Sequence, residues 1–190
     1  TRPSHAHGDE LRLWIQESKR VYTDRHEEDS DRSIFQGLMK SYLEKDFNTE
    51  WDQVIDPDTR LIYGNFMAGD GEGEYEQVKD MKDLVRVMRE QLDYYNEATE
   101  IPMNLVMFLD AIEHVARISR IICQPGGNAL LLGVGGSGRQ SLTRLAAFMG
   151  EFKIFQVEIS KSFDEKEWKD FLKQVMLESG KNNVPSVFLF

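Results

Sequence analysis

The sequence predicts an α/β fold, in which a partial parallel sheet with helices is preceded by an all-helical region. Before residue 67, apolar residues recur mainly at three- and four-residue steps, which is the helical period. From residue 128 onward, short apolar runs of strand length alternate with amphipathic stretches of helical length. Such alternation is typical of parallel strands joined by crossover helices. The two patterns therefore indicate two structurally different regions within 190 residues.

The first region is predicted to form two amphipathic helices. The apolar face of the first helix contains Leu11, Trp14, Ile15, Val21 and Tyr22. The acidic residues 27–31 then interrupt the pattern and indicate a solvated turn. The apolar face of the second helix contains Ile34, Leu38, Met39, Tyr42 and Leu43.

Residues 67–74 are the best candidate for a boundary, because they place three glycines among acidic residues. We expect an exposed linker loop there. The sequence thus divides into a helical domain over residues 1–66, the linker over 67–74 and a second domain over 75–190.

The second domain begins with two helices and continues with alternating strands and helices. The two helices cover the apolar repeats of residues 75–95 and 105–118, with a break at Glu100-Ile101-Pro102. The later elements are a buried strand at 129–133, a helix at 138–149, a strand at 154–159, a helix at 164–179 and a strand from 186. No turn follows this last apolar run, so we expect the chain to be part of a longer polypeptide, truncated within its third strand.

Composition excludes several classes of function. Lys and Arg total 23 against 33 Asp and Glu, and the net charge of −10 argues against a general nucleic-acid-binding surface. The single cysteine, Cys123, excludes an internal disulfide framework and favours a reducing compartment. No apolar run approaches the roughly 20 residues of a membrane span. We therefore expect neither a nucleic-acid nor a membrane partner.

The most informative segment is a glycine-rich loop between a predicted strand and a predicted helix, the context of the P-loop signature G-x-x-x-x-G-K-S/T. Glycines let the backbone approach a ligand closely, and successive N–H groups at a helix N-terminus attract a phosphate. The candidate nucleotide-binding residues are Gly133, Val134, Gly135, Gly136, Ser137, Gly138, Arg139, Gln140 and Ser141. The expected ligand is ATP or ADP.

Two positions depart from that signature. Arg139 replaces the usual lysine and keeps a positive charge that can contact phosphate oxygens. Gln140 replaces the hydroxyl that binds Mg²⁺, and Ser141 is the candidate metal ligand one residue later. The acid that would complete a Mg²⁺ site is expected at residue 191, so no catalytic residue is assigned within the chain. The alternatives are a strand-to-helix turn without a ligand and an unrelated P-loop enzyme such as a small-molecule kinase.

Residues 127–142, GNALLLGVGGSGRQSL, resemble the phosphate loop of the fourth AAA+ module of a dynein heavy chain, in its axonemal form. Residues 105–115, LVMFLDAIEHV, resemble the helix that enters this module, and residues 184–190, VPSVFLF, the start of its magnesium-binding strand. Residues 13–25, LWIQESKRVYTDR, are similar to a helix in the small subdomain of the third module, although that family more often has histidine where Gln16 stands.

This resemblance implies that residues 75–190 are the first part of an AAA+ P-loop domain and that residues 1–66 belong to the preceding module. It further implies an ATP-hydrolysing, minus-end-directed microtubule motor in a cilium or flagellum, with this segment alone inactive. The implied partners are neighbouring AAA+ modules, microtubules and dynein intermediate and light chains. We expect a regulatory nucleotide site in a cytoskeletal protein of the axoneme, of inner-arm type. By the same resemblance, Pro125 and Gly126 line an adenine pocket and Arg20 senses nucleotide in the preceding module, with a plain turn and a surface arginine as the alternatives.

Overall fold

The computed structural model describes residues 5–57, 59–68, 73–157 and 163–190. The chain divides into two compact units, one formed by residues up to Tyr63 together with Glu76–Val78, the other by Gly64–Tyr75 and Lys79–Phe190. The division falls close to the predicted linker, residues 69–72 of which lie outside the described residues. No helix in the described part of the chain is long and apolar enough to cross a membrane.

The first unit is built on the helices α1 (His5–Tyr22), α2 (Asp29–Phe47) and the single-turn α3 (Trp51–Val54). Their apolar faces meet in one core of buried side chains, formed by Leu11, Ile15, Met39, Leu43, Trp51, Val54 and Ile55. Helix α2 ends where Asn48 takes a left-handed conformation with φ of 49°. The two predicted helices are observed, and Leu11, Ile15, Met39 and Leu43 of their predicted apolar faces are buried. The rest of those faces was predicted wrongly, because the following side chains are exposed: Trp14, Val21, Tyr22, Ile34, Leu38 and Tyr42.

Two very short strands, β1 (Tyr63–Gly64) and β2 (Glu76–Gln77), pair with each other. The N–H of Val78 donates to the carbonyl oxygen of Ile62 at 2.9 Å and extends this pairing. Because Val78 is thus held in an extended segment, the predicted helix over residues 75–95 begins later than its apolar pattern suggests.

The second unit begins with helices α4 (Met81–Ala98), α5 (Leu109–Ile122) and α6 (Arg139–Met149), and α6 packs on both of the others. At the amino end of α4, the carboxylate of Asp80 accepts hydrogen bonds from the backbone N–H groups of Lys82 and Asp83. The fully buried apolar side chains among these three helices are Leu84, Met88, Ile112, Val115, Leu145, Ala146 and Ala147.

Strands β3 (Lys153–Gln156) and β4 (Ser186–Leu189) form a parallel pair, joined through helix α7 (Glu165–Met176) and a π-helical turn (Leu177–Lys181). The register places Lys153 opposite Ser186 and Gln156 opposite Leu189. Aromatic rings of α7 pack on this pair, with Phe171 at 5.6 Å from Phe188 and 6.3 Å from Phe155 between ring centroids. A parallel pair with a crossover helix confirms the α/β class.

The prediction of a buried, paired strand at residues 129–133 is wrong. Residues 127–134 contain no helix or strand residue and belong to no ladder in the described structure. Leu130 and Leu132 are 85% and 82% exposed. Their apolar character matches a sheet interior, yet no described strand lies beside them to complete one. The strand predicted at 154–159 is observed at Lys153–Gln156, and its last two residues lie outside the described part.

Candidate phosphate-binding site

The glycine-rich loop joins the segment of residues 127–134 to the amino end of α6. Gly136 and Gly138 have φ values of +77° and +79°, a region that other residues rarely adopt. Side-chain carbon atoms added at Gly135, Gly136 or Gly138 would meet nothing within 4 Å. The loop therefore reverses the chain through left-handed glycines and leaves open space beside its backbone.

The backbone N–H groups of the loop and of the first helical turn are the principal donors of the site. The Ser137 N–H donates to Val134 O at 3.3 Å, and the Leu142 N–H donates to Gly138 O at 2.8 Å and begins the helical ladder. The N–H groups of residues 139–141 precede that ladder and have no partner within the helix. The first turn carries no acidic residue. Together with the helix dipole, these donors favour an anion at this point.

The Arg139 side chain does not extend away from the loop but folds back over it. Its Nη1 donates to Leu131 O at 3.1 Å and its Nη2 to Val134 O at 3.3 Å. The backbone at Gly133 lies under this side chain, because a side-chain carbon there would lie 3.5 Å from Arg139 Cδ and 3.0 Å from Ser137 Oγ. The sequence predicts that the guanidinium contacts phosphate, and it contains no sign of these two carbonyl acceptors.

The candidate residues are contiguous and occupy one loop and one helical turn. Val134 is 78% exposed, Gln140 is exposed and Ser141 is half-buried. The loop contains Gly133, Val134, Gly135, Gly136, Ser137 and Gly138, and the first turn of α6 contains Arg139, Gln140 and Ser141. Thr143, which the sequence analysis did not select, is buried and donates from Oγ1 to Arg139 O at 2.8 Å.

The fit of the site to a nucleotide differs from its fit to Mg²⁺. Open space, unpaired first-turn amides and a cation suit a di- or triphosphate. Within the described ranges, no group of three or more His, Cys, Asp or Glu residues is arranged to hold a metal ion. Ser141 would supply only one hydroxyl oxygen, and an octahedral Mg²⁺ needs further oxygen ligands. The described residues alone do not form a magnesium site.

A second glycine turn stands at the other end of the segment of residues 127–134, directly after α5. Gly126 has φ of +66°, and the Gly127 N–H donates to Gln124 O at 2.9 Å. A side-chain carbon at Gly127 would lie 1.8 Å from Ile121 O, which no other residue can tolerate without a backbone shift. The turn that holds Pro125 and Gly126 is exposed, and its role in an adenine pocket stays a prediction.

Arg20 lies in the first unit, where its Nη1 forms an ion pair with Asp24 Oδ1 at 3.3 Å. Its side chain is only 13% exposed, so it is not the surface arginine that served as the alternative interpretation. Its proposed role as a nucleotide sensor stays a prediction.

A loop with two left-handed glycines, followed directly by the amino end of a helix, has the local geometry of a P-loop. Residues 103–190 match the family model described as "P-loop containing dynein motor region D4". Over 95% of its length, the chain is 43% identical to dynein axonemal heavy chain 1 of Homo sapiens and 38% identical to dynein axonemal heavy chain 3 of Mus musculus. It is also 40% identical to the ciliary dynein beta chain of Tripneustes gratilla over the same share.

The chain belongs to the dynein heavy-chain family, in its axonemal form. It spans about 4% to 5% of the length of these relatives. The resemblance inferred from residues 105–115 and 127–142 is thereby confirmed.

Proposed function

We propose that this chain is the part of an axonemal dynein motor ring that binds ATP or ADP through residues 133–141. The observation that carries the proposal is the open loop at the amino end of α6, where residues 139–141 present backbone N–H groups without helical partners. The match of residues 103–190 to the P-loop dynein motor region supports it.

The parent heavy chain is an ATP-driven, minus-end-directed motor on the microtubules of a cilium or flagellum. The names of its relatives, axonemal heavy chains and a ciliary beta chain, support this location in the cytoskeleton of the axoneme. Its partners are the neighbouring AAA+ modules of the same chain, microtubules, and intermediate and light chains. This segment contributes a nucleotide site to that assembly and no catalytic residue of its own.

The site holds nucleotide for regulation rather than for rapid turnover. The phosphates accept hydrogen bonds from loop amides, which do not depend on side-chain identity. Gln140 occupies the place of the hydroxyl that a standard P-loop offers to Mg²⁺. The half-buried hydroxyl of Ser141, one residue further along α6, is the remaining candidate ligand. When a metal ligand is misplaced by about 1 Å, hydrolysis that depends on it slows by about a hundredfold.

Peptide-resolved hydrogen exchange of a dynein motor that contains this sequence tests the proposal. Addition of ADP is expected to slow exchange in peptides that cover residues 133–145. A Gly135→Glu variant should lose this protection, because the position is open and a carboxylate there repels phosphate. A Gly135→Gln variant is the control of equal size without the charge. Equal exchange with and without ADP in the unmodified protein would refute nucleotide binding at this loop.

A nucleotide-free structural module is the second candidate function, and the folded-back Arg139 favours it. The guanidinium is bonded to Leu131 O and Val134 O, two acceptors that belong to the protein itself. In that case, ADP changes exchange elsewhere in the motor ring but leaves residues 133–145 unaffected. The kinase alternative has no support from the relatives, whose similarity extends through the helical first unit as well.

A further inference from the structure

We propose that Arg139 is a positioning residue, which braces the phosphate loop by folding back over it. This inference rests on the proposed nucleotide site, and it assigns to the arginine a role other than that of a simple phosphate ligand. The brace consists of two hydrogen bonds, from Nη1 to Leu131 O at 3.1 Å and from Nη2 to Val134 O at 3.3 Å.

The two carbonyl acceptors, Leu131 O and Val134 O, show which parts of the site the Arg139 side chain connects. Leu131 lies in the segment of residues 127–134 and Val134 begins the glycine loop, while Arg139 is the first residue of α6. The guanidinium therefore connects three consecutive parts of the site. This segment lacks a ladder partner in the described structure, so these bonds replace part of the restraint that a neighbouring strand would supply.

Neighbouring residues leave room for this arrangement. An added side-chain carbon at Gly133 would lie 3.5 Å from Arg139 Cδ and 3.6 Å from Arg139 Nε, so the stem of the arginine passes close to the glycine backbone. The carbonyl of Arg139 accepts from the buried hydroxyl of Thr143 at 2.8 Å, which fixes the start of the helix beneath it.

A guanidinium can brace the loop and still contact a phosphate. It carries five N–H donors in a planar fork, and the two carbonyls use two of them. The remaining three are Nε–H and one hydrogen on each terminal nitrogen. A lysine ammonium is a single point of charge and cannot span two acceptors through separate nitrogen atoms. The substitution of arginine for the usual lysine is thus explained by the loop, rather than by the phosphate alone.

Arg139→Lys separates the two roles, because lysine is the standard residue at this position of a P-loop. If Arg139 only binds phosphate, lysine serves equally well. If Arg139 braces the loop, the lysine variant lacks at least one of the two hydrogen bonds that the charged guanidinium donates to the carbonyl oxygens of Leu131 and Val134. Hydrogen exchange of residues 129–138 without nucleotide then rises by about tenfold. The ADP concentration that gives half-maximal protection rises by a similar factor. Both quantities are measured by hydrogen exchange on the dynein motor that contains this sequence.

Arg144→Lys is the matched control, since it makes the same substitution on the same helix, where the side chain donates to Gln156 Oε1. It should leave residues 129–138 unchanged. Unchanged exchange in Arg139→Lys without nucleotide would overturn the proposal. So would faster exchange throughout α6, because the arginine would then stabilise the helix and not the loop. Faster loop exchange in Arg139→Lys, combined with no effect of ADP on the unmodified protein, would keep the brace and reject nucleotide binding.

Discussion

At the scale of single residues, Gly127 admits no side chain, because any side-chain carbon would lie 1.8 Å from Ile121 O. Gly138, the residue directly before α6, has φ of +79°, which favours glycine although an added carbon would meet nothing within 4 Å. Sequence patterns marked both as glycines in turns, but only the coordinates distinguish a steric requirement from a preference. For Arg139, the sequence shows the positive charge of the side chain. Only the structure shows that this side chain donates to the carbonyl oxygens of Leu131 and Val134.

Asp80 gives a pH-dependent prediction at this scale. Hydrogen bonds from the N–H groups of Asp83 and Lys82 lower the pKa of its carboxyl below the ordinary value of 3.8. The carboxylate therefore stabilises the first turn of α4 above about pH 4, and this contribution disappears as the pH falls through the lowered pKa. Hydrogen exchange at the Lys82 and Asp83 amides, corrected for intrinsic rates, should accelerate in acid for this reason.

Asp80→Asn is the control for that experiment, because its amide oxygen still accepts the N–H groups without titrating. The variant should show no acid-dependent acceleration at these amides. Asp80→Ala should accelerate exchange at every pH, since the cap itself is missing. Identical pH profiles in the wild-type and Asn proteins would show that the cap does not depend on the charge.

At the scale of elements, competing local interactions set the ends of two helices. Helix α5 was expected from residue 105 and begins at Leu109. The Asn96 side-chain amide accepts from Met103 N at 2.7 Å and donates to Met103 O at 3.0 Å, which fixes the chain at Met103. Phe108, directly before α5, is extended with φ of −100° and ψ of 160°, and its N–H donates to Val106 O, so the helical ladder begins only after it. Apolar spacing alone contains no sign of such a side-chain contact.

Packing of α6 on α4 and α5 gives the prediction for this scale. Leu145 is fully buried in α6, at 0% exposure. Leu145→Ala should lower the free energy of local opening of α6 by about 2–5 kcal/mol, because it leaves a cavity that its neighbours fill only in part. Hydrogen exchange of α6 peptides measures this change. Leu177→Ala, at a position 54% exposed, is the matched control, with an expected effect within about 0.5 kcal/mol. A small effect at Leu145 would mean that α6 is held by its loop rather than by its core.

At the scale of the whole molecule, apolar side chains remain on the surface where a sheet interior was predicted. Leu130, Leu132 and Val134 are 85%, 82% and 78% exposed along the unpaired segment of residues 127–134. An unpaired apolar edge is a template for association with other chains. Within the described residues of the second unit, the strand pair is β3 with β4, and neither strand lies beside this segment.

The 190-residue chain on its own is therefore expected to self-associate at micromolar concentration and to melt without a sharp transition. Light scattering after size-exclusion chromatography measures the association. Combined Leu130→Lys and Leu132→Lys substitutions should reduce it several-fold. The control, Met176→Lys with Leu177→Lys, makes the same change of charge at other exposed apolar positions and should reduce it less. A monomeric wild-type chain with a cooperative melt would contradict this expectation.

The sequence by itself determined the α/β class and the position of the glycine-rich loop, because hydrophobic period and glycine spacing are local properties of the chain. The family was indicated by the resemblance of residues 105–115 and 127–142 to dynein heavy chains. Only the tertiary structure decided that residues 129–133 lie unpaired and that Arg139 donates to Leu131 O and Val134 O. It also decided that the Val78 N–H donates to Ile62 O, so that α4 begins only at Met81. Each of these outcomes depends on which backbone groups come together across the fold, and hydrogen-bond partners distant in sequence leave no periodic signal in the amino-acid order.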